Sequence, residues 1–302
     1  MALLSRYPII INTYRRLLSK NNAQQILKQV VSRHTHQIQK RLYFVKQLCK
    51  VKFSLLIPIG IMAAASASSL ENQKLIEESE VLYEKKDFPA LYDLMVAHKD
   101  SQDANVLWRL ARAATEKGKM GGEGDKRKKL IYEAWGYIEK ALQLDDTNFA
   151  CHKWYGILLD YTAEYEGTKK RIENAFKVKE HFQKAIDLNP NDATTLYCLG
   201  YWCFLFADMA WYQRKIASVI FASPPTSSYE EALDYFKKAE EAEPGFYNQN
   251  KVMMGKTYMR LKDKETAKTH LMKALEHTDK TTDDAKARKE ALDLLKELGV
   301  KV

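Results

Sequence analysis

The chain is 302 residues long with 46% apolar and 29% charged residues, a composition that excludes a disordered polymer and leaves room for one or two folded domains. Glycine and proline are scarce, at 12 and 7, which argues against a turn-dense β protein, and four cysteines without a CxxC spacing read as reduced thiols and not as a disulfide scaffold. Of the 48 Lys and Arg, eleven lie in residues 1–70 beside no Asp or Glu, so the remainder carries 37 bases against 39 acids, a net of −2, and no nucleic-acid partner is expected.

The first segment in the chain is therefore a basic leader, residues 1–70. Ile26, Leu27, Val30, Val31, Ile38, Leu42, Val45 and Leu48 recur at helical spacing, with Lys28, Arg33, Lys40, Arg41 and Lys46 on the other faces. An acid-free amphipathic N-terminus of this kind is expected to direct a protein to mitochondria. The uncharged run from Phe53 to Leu70 is 18 residues long, near the lower limit for a bilayer span, and Pro58 and Gly60 interrupt it. A cleaved transit peptide, an anchor in a mitochondrial membrane and a basic tail that touches surfaces all remain open.

From residue 71 to 302 the apolar residues follow the 3.6-residue period and no alternating strand pattern occurs, so the expected fold is all-α. The helices repeat. An A-x3-F-x2-A-x4-P arrangement occurs as Ala232, Phe236, Ala239, Pro244 and as Val178, Phe182, Ala185, Pro190, and in shorter form as Ala134, Ile138, Ala141 and Ala267, Leu271, Ala274. Small residues precede these helices at Ala111, Gly156, Gly200 and Gly255. From each second-helix alanine-like position to the next small residue the interval is 22, 22 and 23 residues, which is the tetratricopeptide interval. The expected architecture is a tetratricopeptide-like solenoid of about five helical hairpins, 72–85/88–99, 103–118/126–144, 147–164/168–188, 192–210/227–242 and 247–261/263–276. A last helix over 281–298 is expected to cap it, its charged face outward.

Within a hairpin the small residue should precede the second helix by 12 residues, as Gly255 precedes Ala267; in the three earlier hairpins the interval is 23, 22 and 32. The extra length falls at the turn between paired helices, on one edge of the stack. The first insertion is expected to be a polar loop, and the third, residues 207–228, to fold back on the groove. These insertions carry Lys126, Arg127, Lys128 and Lys129, then Lys169, Lys170 and Arg171, then Arg214 and Lys215, a basic edge suited to an acidic partner.

Residues one after and three before each small residue should face the concave groove: Trp108 and Arg112, Lys153 and Ile157, Tyr197 and Tyr201, Val252 and Lys256. Aromatic and cationic groups there suit an acidic peptide or a phospholipid. Trp108 and Arg112 stand where a chaperone-carboxylate clamp would need Lys and Asn, which argues against a chaperone adaptor. No GxxxxGK[ST], GxSxG or HExxH motif occurs, and the seven histidines never fall at metal-binding spacing. Neither catalysis, a metal nor a cofactor is expected.

The runs LWRLARA (107–113), HKWYGI (152–157), KEHFQKAIDLNPNDATT (179–195), WYQRKIA (211–217) and FASPPTSSYEEALDYF (221–236) resemble the regulator of microtubule dynamics protein family over roughly residues 72–298. The resemblance implies a non-enzymatic, microtubule-associated protein that meets tubulin in the cytoplasm, at spindle microtubules and spindle poles, or at mitochondria. It also implies a relative whose similar repeat domain tethers the mitochondrial outer membrane to the endoplasmic reticulum and holds phospholipid in its groove.

Overall fold

The computed structural model describes residues 59–121, 124–221, 225–278 and 281–301, with side chains from Leu70 onward. The readings of the leader as transit peptide, anchor or tail thus fall almost wholly outside the described residues. The chain divides into two compact units, residues 1–65 and 66–302, of which the second carries the repeats. Among the described residues every regular element is an α-helix, and none is long and apolar enough to cross a membrane.

The described residues form twelve helices in order: α1 Ile59–Glu84, α2 Phe88–Val96, α3 Ala104–Met120, α4 Asp125–Leu144, α5 Phe149–Glu166, α6 Thr168–Leu188, α7 Ala193–Ala207, α8 Trp211–Ile220, α9 Tyr229–Ala242, α10 Asn248–Arg260, α11 Lys264–Leu275 and α12 Thr282–Glu297. Their starts are written in the sequence. The side chains of Asp87, Asp103, Asn148, Asp192, Ser228, Asp263 and Thr281 accept from the first free backbone N–H groups of α2, α3, α5, α7, α9, α11 and α12. Such caps satisfy donors that have no partner inside the helix, and each stabilises by about 1 kcal/mol.

The pairs are α3/α4, α5/α6, α7/α9 and α10/α11, capped by α12, which packs on α10 and α11, while Leu75 of α1 joins Phe88, Leu91 and Met95 of α2 in one buried cluster. Inside each pair the small residue is a contact point. A methyl group on Gly156 would lie 2.6 Å from the Phe182 ring, on Gly200 2.9 Å from Phe236, and on Gly255 2.6 Å from Leu271 Cγ. Only hydrogen lets the paired helices approach this closely. Ala111, Ala134, Ile138, Phe182, Ala185, Phe236, Ala239, Ala267 and Leu271 are all buried, so the repeat positions of the sequence are the core of the molecule.

The first and third insertions take a different form from the one expected, while the second keeps the helix bounds read from the sequence to within two residues. The first is mostly helix and not loop: Lys117–Met120 finish α3, and Asp125–Lys129 open α4. In the second, Gly167 alone separates α5 from α6, with φ +94, a conformation open to glycine. The extra residues have lengthened both members of each pair, to 17 and 20 residues in α3/α4 and 18 and 21 in α5/α6, against 13 and 12 in α10/α11. The third insertion folds as α8, which packs against the outer helix α6 and lines no part of the groove. In the first two insertions the extra turns continue an existing hydrogen-bond ladder, gaining one bond per added residue without the cost of nucleating a new helix.

Candidate functional site

The first helices of the pairs face inward around a cavity of about 970 Å³. Trp108, Arg112, Glu116 and Lys119 of α3 line it, with Lys153, Ile157 and Tyr161 of α5 and Tyr197 and Cys198 of α7. Helices α1 and α2 add Tyr83 and Phe88, the α9–α10 connection adds Phe246 and Tyr247, and the start of α12 adds residues 281–285. The wall is thus aromatic, with cations and the carboxylates of Glu116, Asp283 and Asp284 set into it.

Carboxylates outside the lining hold Arg112 and Lys153, and carboxylates within it hold Lys119. Arg112 Nη2 donates to Glu80 at 2.8 Å and its guanidinium carbon lies 3.8 Å from the centre of the Tyr83 ring, yet its Nε–H has no acceptor and its side chain is only 8% exposed. Burial pushes the Glu80 carboxyl up, but Arg112 and Arg109 outweigh it and hold that group below its ordinary value. Lys153 Nζ donates to Asp192 at 2.8 Å; burial raises the Asp192 carboxyl, and Lys153 with Thr195 overcomes this and leaves it lowered. Lys119 lies between Glu116 at 3.2 Å and Asp283 at 2.8 Å. Desolvation works against its charge, while Glu116, Tyr161 and Asp283 reverse the balance and raise it well above an ordinary lysine. Burial likewise holds the phenols of Tyr197 and Tyr247 far above the usual range and pushes Tyr161 up to about 12, so all three are neutral hydrogen-bonding groups.

Of the groove residues read from spacing, Trp108, Arg112, Lys153, Ile157 and Tyr197 meet in this cavity, and Tyr201, Val252 and Lys256 do not line it. Tyr201 stacks beyond Tyr197, with ring centres 6.2 Å apart. Val252 is buried in the C-terminal core, and Lys256 is drawn to Glu290 of α12 at 2.7 Å. The spacing argument missed Glu116, Lys119 and Tyr161, although they continue the same stripe one or two turns on from Arg112 and Ile157. It also missed Tyr83, Phe246, Tyr247 and the α12 start, which no period connects to the groove. The cap is not charged outward throughout, because Asp283 and Asp284 face the cavity.

On the edge, Lys126, Lys128 and Lys129 are exposed in the first turn of α4. Arg127 lies 5.6 Å from the Tyr161 ring centre, and Lys128 5.7 Å from that of Tyr165. None of these four makes an ion pair among the described residues. Lys169 and Lys170, at the start of α6, share Glu173 at 3.8 and 3.9 Å. Arg171 is committed to Asp160 by two hydrogen bonds of 3.0 and 2.7 Å. Arg214 is turned back to the carbonyls of Ala207 and Met209, which leaves Lys215 beside it in solvent.

Among the described residues no group of three or more His, Cys, Asp or Glu could hold a metal ion. Paired antiparallel helices stacked around an inward-facing groove define a tetratricopeptide-like helical solenoid. Its fold resembles that of a thermophilic TPR protein of Thermus thermophilus, with a TM-score of 0.52 at 16% identity over 73% of this chain and 98% of that one. Residues 75–299 match the family described as regulator of microtubule dynamics protein 1-3, and the chain belongs to that family. It is 43% identical over 238 residues to regulator of microtubule dynamics protein 1 of Bos taurus, covering 78% of this chain and 75% of the relative. It is 35% identical over 216 residues to regulator of microtubule dynamics protein 3 of Xenopus laevis, covering 70% of this chain and 46% of the relative.

Proposed function

We propose that this chain is a non-enzymatic binding scaffold that meets microtubules through the basic edge. The observation that carries the reading is the set of exposed, unpaired lysines in the first turn of α4 beside Lys169 and Lys170 at the tip of the next hairpin. Tubulin presents an acidic surface, and cations held at helix starts have little to neutralise them within their own fold. The names of the family's members agree with such a partner. Co-sedimentation with microtubules tests it. Pelleting should weaken as salt rises, since charges separated by more than a Debye length of about 8 Å are screened near physiological ionic strength. The combined change Lys126→Glu, Lys128→Glu, Lys129→Glu should reduce it severalfold. Equal pelleting of variant and parent at every salt concentration would sink the reading.

A second reading is favoured by the orphaned Arg112 Nε–H within an aromatic cavity of about 970 Å³. The cavity is suited to an anionic ligand with an apolar body, either the carboxylates of an acidic peptide or the headgroup and chains of a phospholipid. Native mass spectrometry of the purified chain separates these by mass. Arg112→Met should release whatever co-purifies, and retention of the full ligand load by that variant would exclude the arginine as its anchor.

The acid-free leader is proposed to give a mitochondrial address. Residues 1–70 fused to a fluorescent protein should then label mitochondria, and diffuse cytosolic fluorescence would remove that proposal.

A further inference from the structure

Helix α8 is the one element that the repeat does not require, and its outer face is unusual. Trp211 is 76% exposed, Tyr212 51% and Val219 84%, and Phe176 of the underlying α6 is 45% exposed where it meets Phe221 edge-on at 5.0 Å. Trp211, Lys215 and Val219 follow at i, i+4 and i+8, so they form a single stripe, and Ala217 is the buried contact on the opposite side. Helices of soluble proteins ordinarily turn such residues inward.

The charge around this stripe has one sign. From Met209 to Tyr229 the sequence contains Arg214 and Lys215 and no acidic residue. Neither cation makes an ion pair among the described residues. The flanking Asp208 is held by Arg260 at 2.6 and 3.1 Å, and on α6 Glu173 is shared by Lys169 and Lys170 while Glu180 is paired with Lys184 at 3.1 Å. A second copy of the chain would bring Arg214 and Lys215 against their own kind. The stripe stands open to solvent along its length, with Trp211 and Val219 more than three-quarters exposed. An exposed Trp and Tyr flanked by cations matches the chemistry of an anionic bilayer surface, where aromatic rings settle among headgroups and cations meet lipid phosphates.

We propose that the outer face of α8, through Trp211, Tyr212, Lys215 and Val219, docks the repeat domain on an anionic lipid surface. The bilayer is entered only to headgroup depth. Lys215 is shared with the basic edge, but Trp211, Tyr212 and Val219 are not, so the inference does not rest on the microtubule reading.

The molecule carries its own probe. Of five tryptophans, Trp108, Trp154 and Trp202 are buried, Trp135 is half-buried, and Trp211 alone is exposed; the leader contains none. The full chain is mixed with vesicles of brominated phosphatidylcholine containing phosphatidylserine, and tryptophan emission is followed. The expected result is quenching and a blue shift that disappear in Trp211→Phe and fall severalfold in Val219→Asp. Vesicles lacking phosphatidylserine should quench severalfold less. A chain that binds the vesicles through its leader while Trp211 stays unquenched overturns the proposal, and so does a chain that does not bind. Equal quenching without phosphatidylserine overturns the electrostatic part. A dimer in sedimentation that Trp211→Ala dissolves would assign the face to a second copy instead. Trp211→Ala should pellet with microtubules as the parent does, so failure of either proposal is visible without the other.

Discussion

Lys119 Nζ lies 2.8 Å from Asp283 Oδ2 and thereby joins the last turn of α3 to the first turn of α12 across the mouth of the cavity. Helix α10 is 13 residues long; a helix of that length begun at Ala104 would stop one turn short of Lys119. Lengthening the second hairpin is therefore what lets the second pair touch the C-terminal cap.

Lys119→Met tests that closure. It keeps the aliphatic stem and leaves Glu116 and Asp283 facing each other without a cation. Because Lys119 is 20% exposed, the cost is set between that of surface and buried pairs, about 1–3 kcal/mol. A loss of this size should lower the melting temperature by roughly 2–4 °C per kcal/mol in a domain of this class. Hydrogen exchange should quicken at residues 281–285 and stay unchanged in α6. Unaltered exchange at the α12 start would show that Lys119 does not hold the cap.

Gly255 tests the repeat packing. A Cβ there would meet Leu271 Cγ at 2.6 Å and Cδ2 at 2.7 Å, with the Ala267 carbonyl at 3.4 Å behind. Gly255→Ala should destabilise by about 1–3 kcal/mol, the range for overpacking, despite alanine's better helix propensity. Gly136 offers the control, since a Cβ at that helical position meets nothing within 4 Å, and Gly136→Ala should stabilise by about 0.5–1 kcal/mol. Denaturant midpoints moving in the same direction for both variants would contradict the packing argument.

His181 gives the stability of the domain a pH dependence. His152 Nε2 lies 2.8 Å from the carbonyl oxygen of Asp146, so it carries the proton, and His152 Nδ1 then accepts from His181 Nδ1 at 2.9 Å. Burial, His152 and Lys184 hold His181 down to about 4 from its ordinary 6.5. The unfolded chain thus binds the extra proton first. This contribution is complete above pH 6.5, declines as pH falls and is lost below about 4, a change on the order of 2 kcal/mol. Urea titrations from pH 7 to 4 should show a shallower slope in His181→Asn than in the parent. Parallel slopes would remove His181 as the cause.

The thiols should resist alkylation while the domain is folded. Burial pushes Cys151 and Cys198 up to about 12 and Cys203 to about 11, so little thiolate exists at neutral pH. Mass spectrometry after iodoacetamide at pH 7.5 should find all three unmodified until denaturant is added. Cys198 lines the cavity, so it should be the first to react when Lys119→Met loosens the mouth. Rapid labelling of Cys151 in the native chain would mean that its helix pair opens far more readily than its packing implies.

The hairpin order and most helix ends were legible in the sequence because they depend on neighbours along the chain. Asp103, Asn148 and Asp192 announce helix starts by capping, and Gly156, Gly200 and Gly255 mark contacts made within one hairpin, where Phe182, Phe236 and Leu271 each stand one turn after the small position of the second helix, Val178, Ala232 and Ala267. The same local stripe was enough to bring Trp108, Arg112, Lys153, Ile157 and Tyr197 to one cavity. The long helices of the second and third hairpins were also legible, whereas tertiary structure alone decided that the third insertion became α8 on the outside and that Lys256 turned to Glu290 instead of the groove. It alone brought Tyr83, Lys119, Tyr247 and Asp283 together. Helical periodicity fixes which face a residue occupies, but the rotation between successive hairpins is a small angle summed over the whole stack, and it is that sum which decides whether the two ends of the solenoid meet.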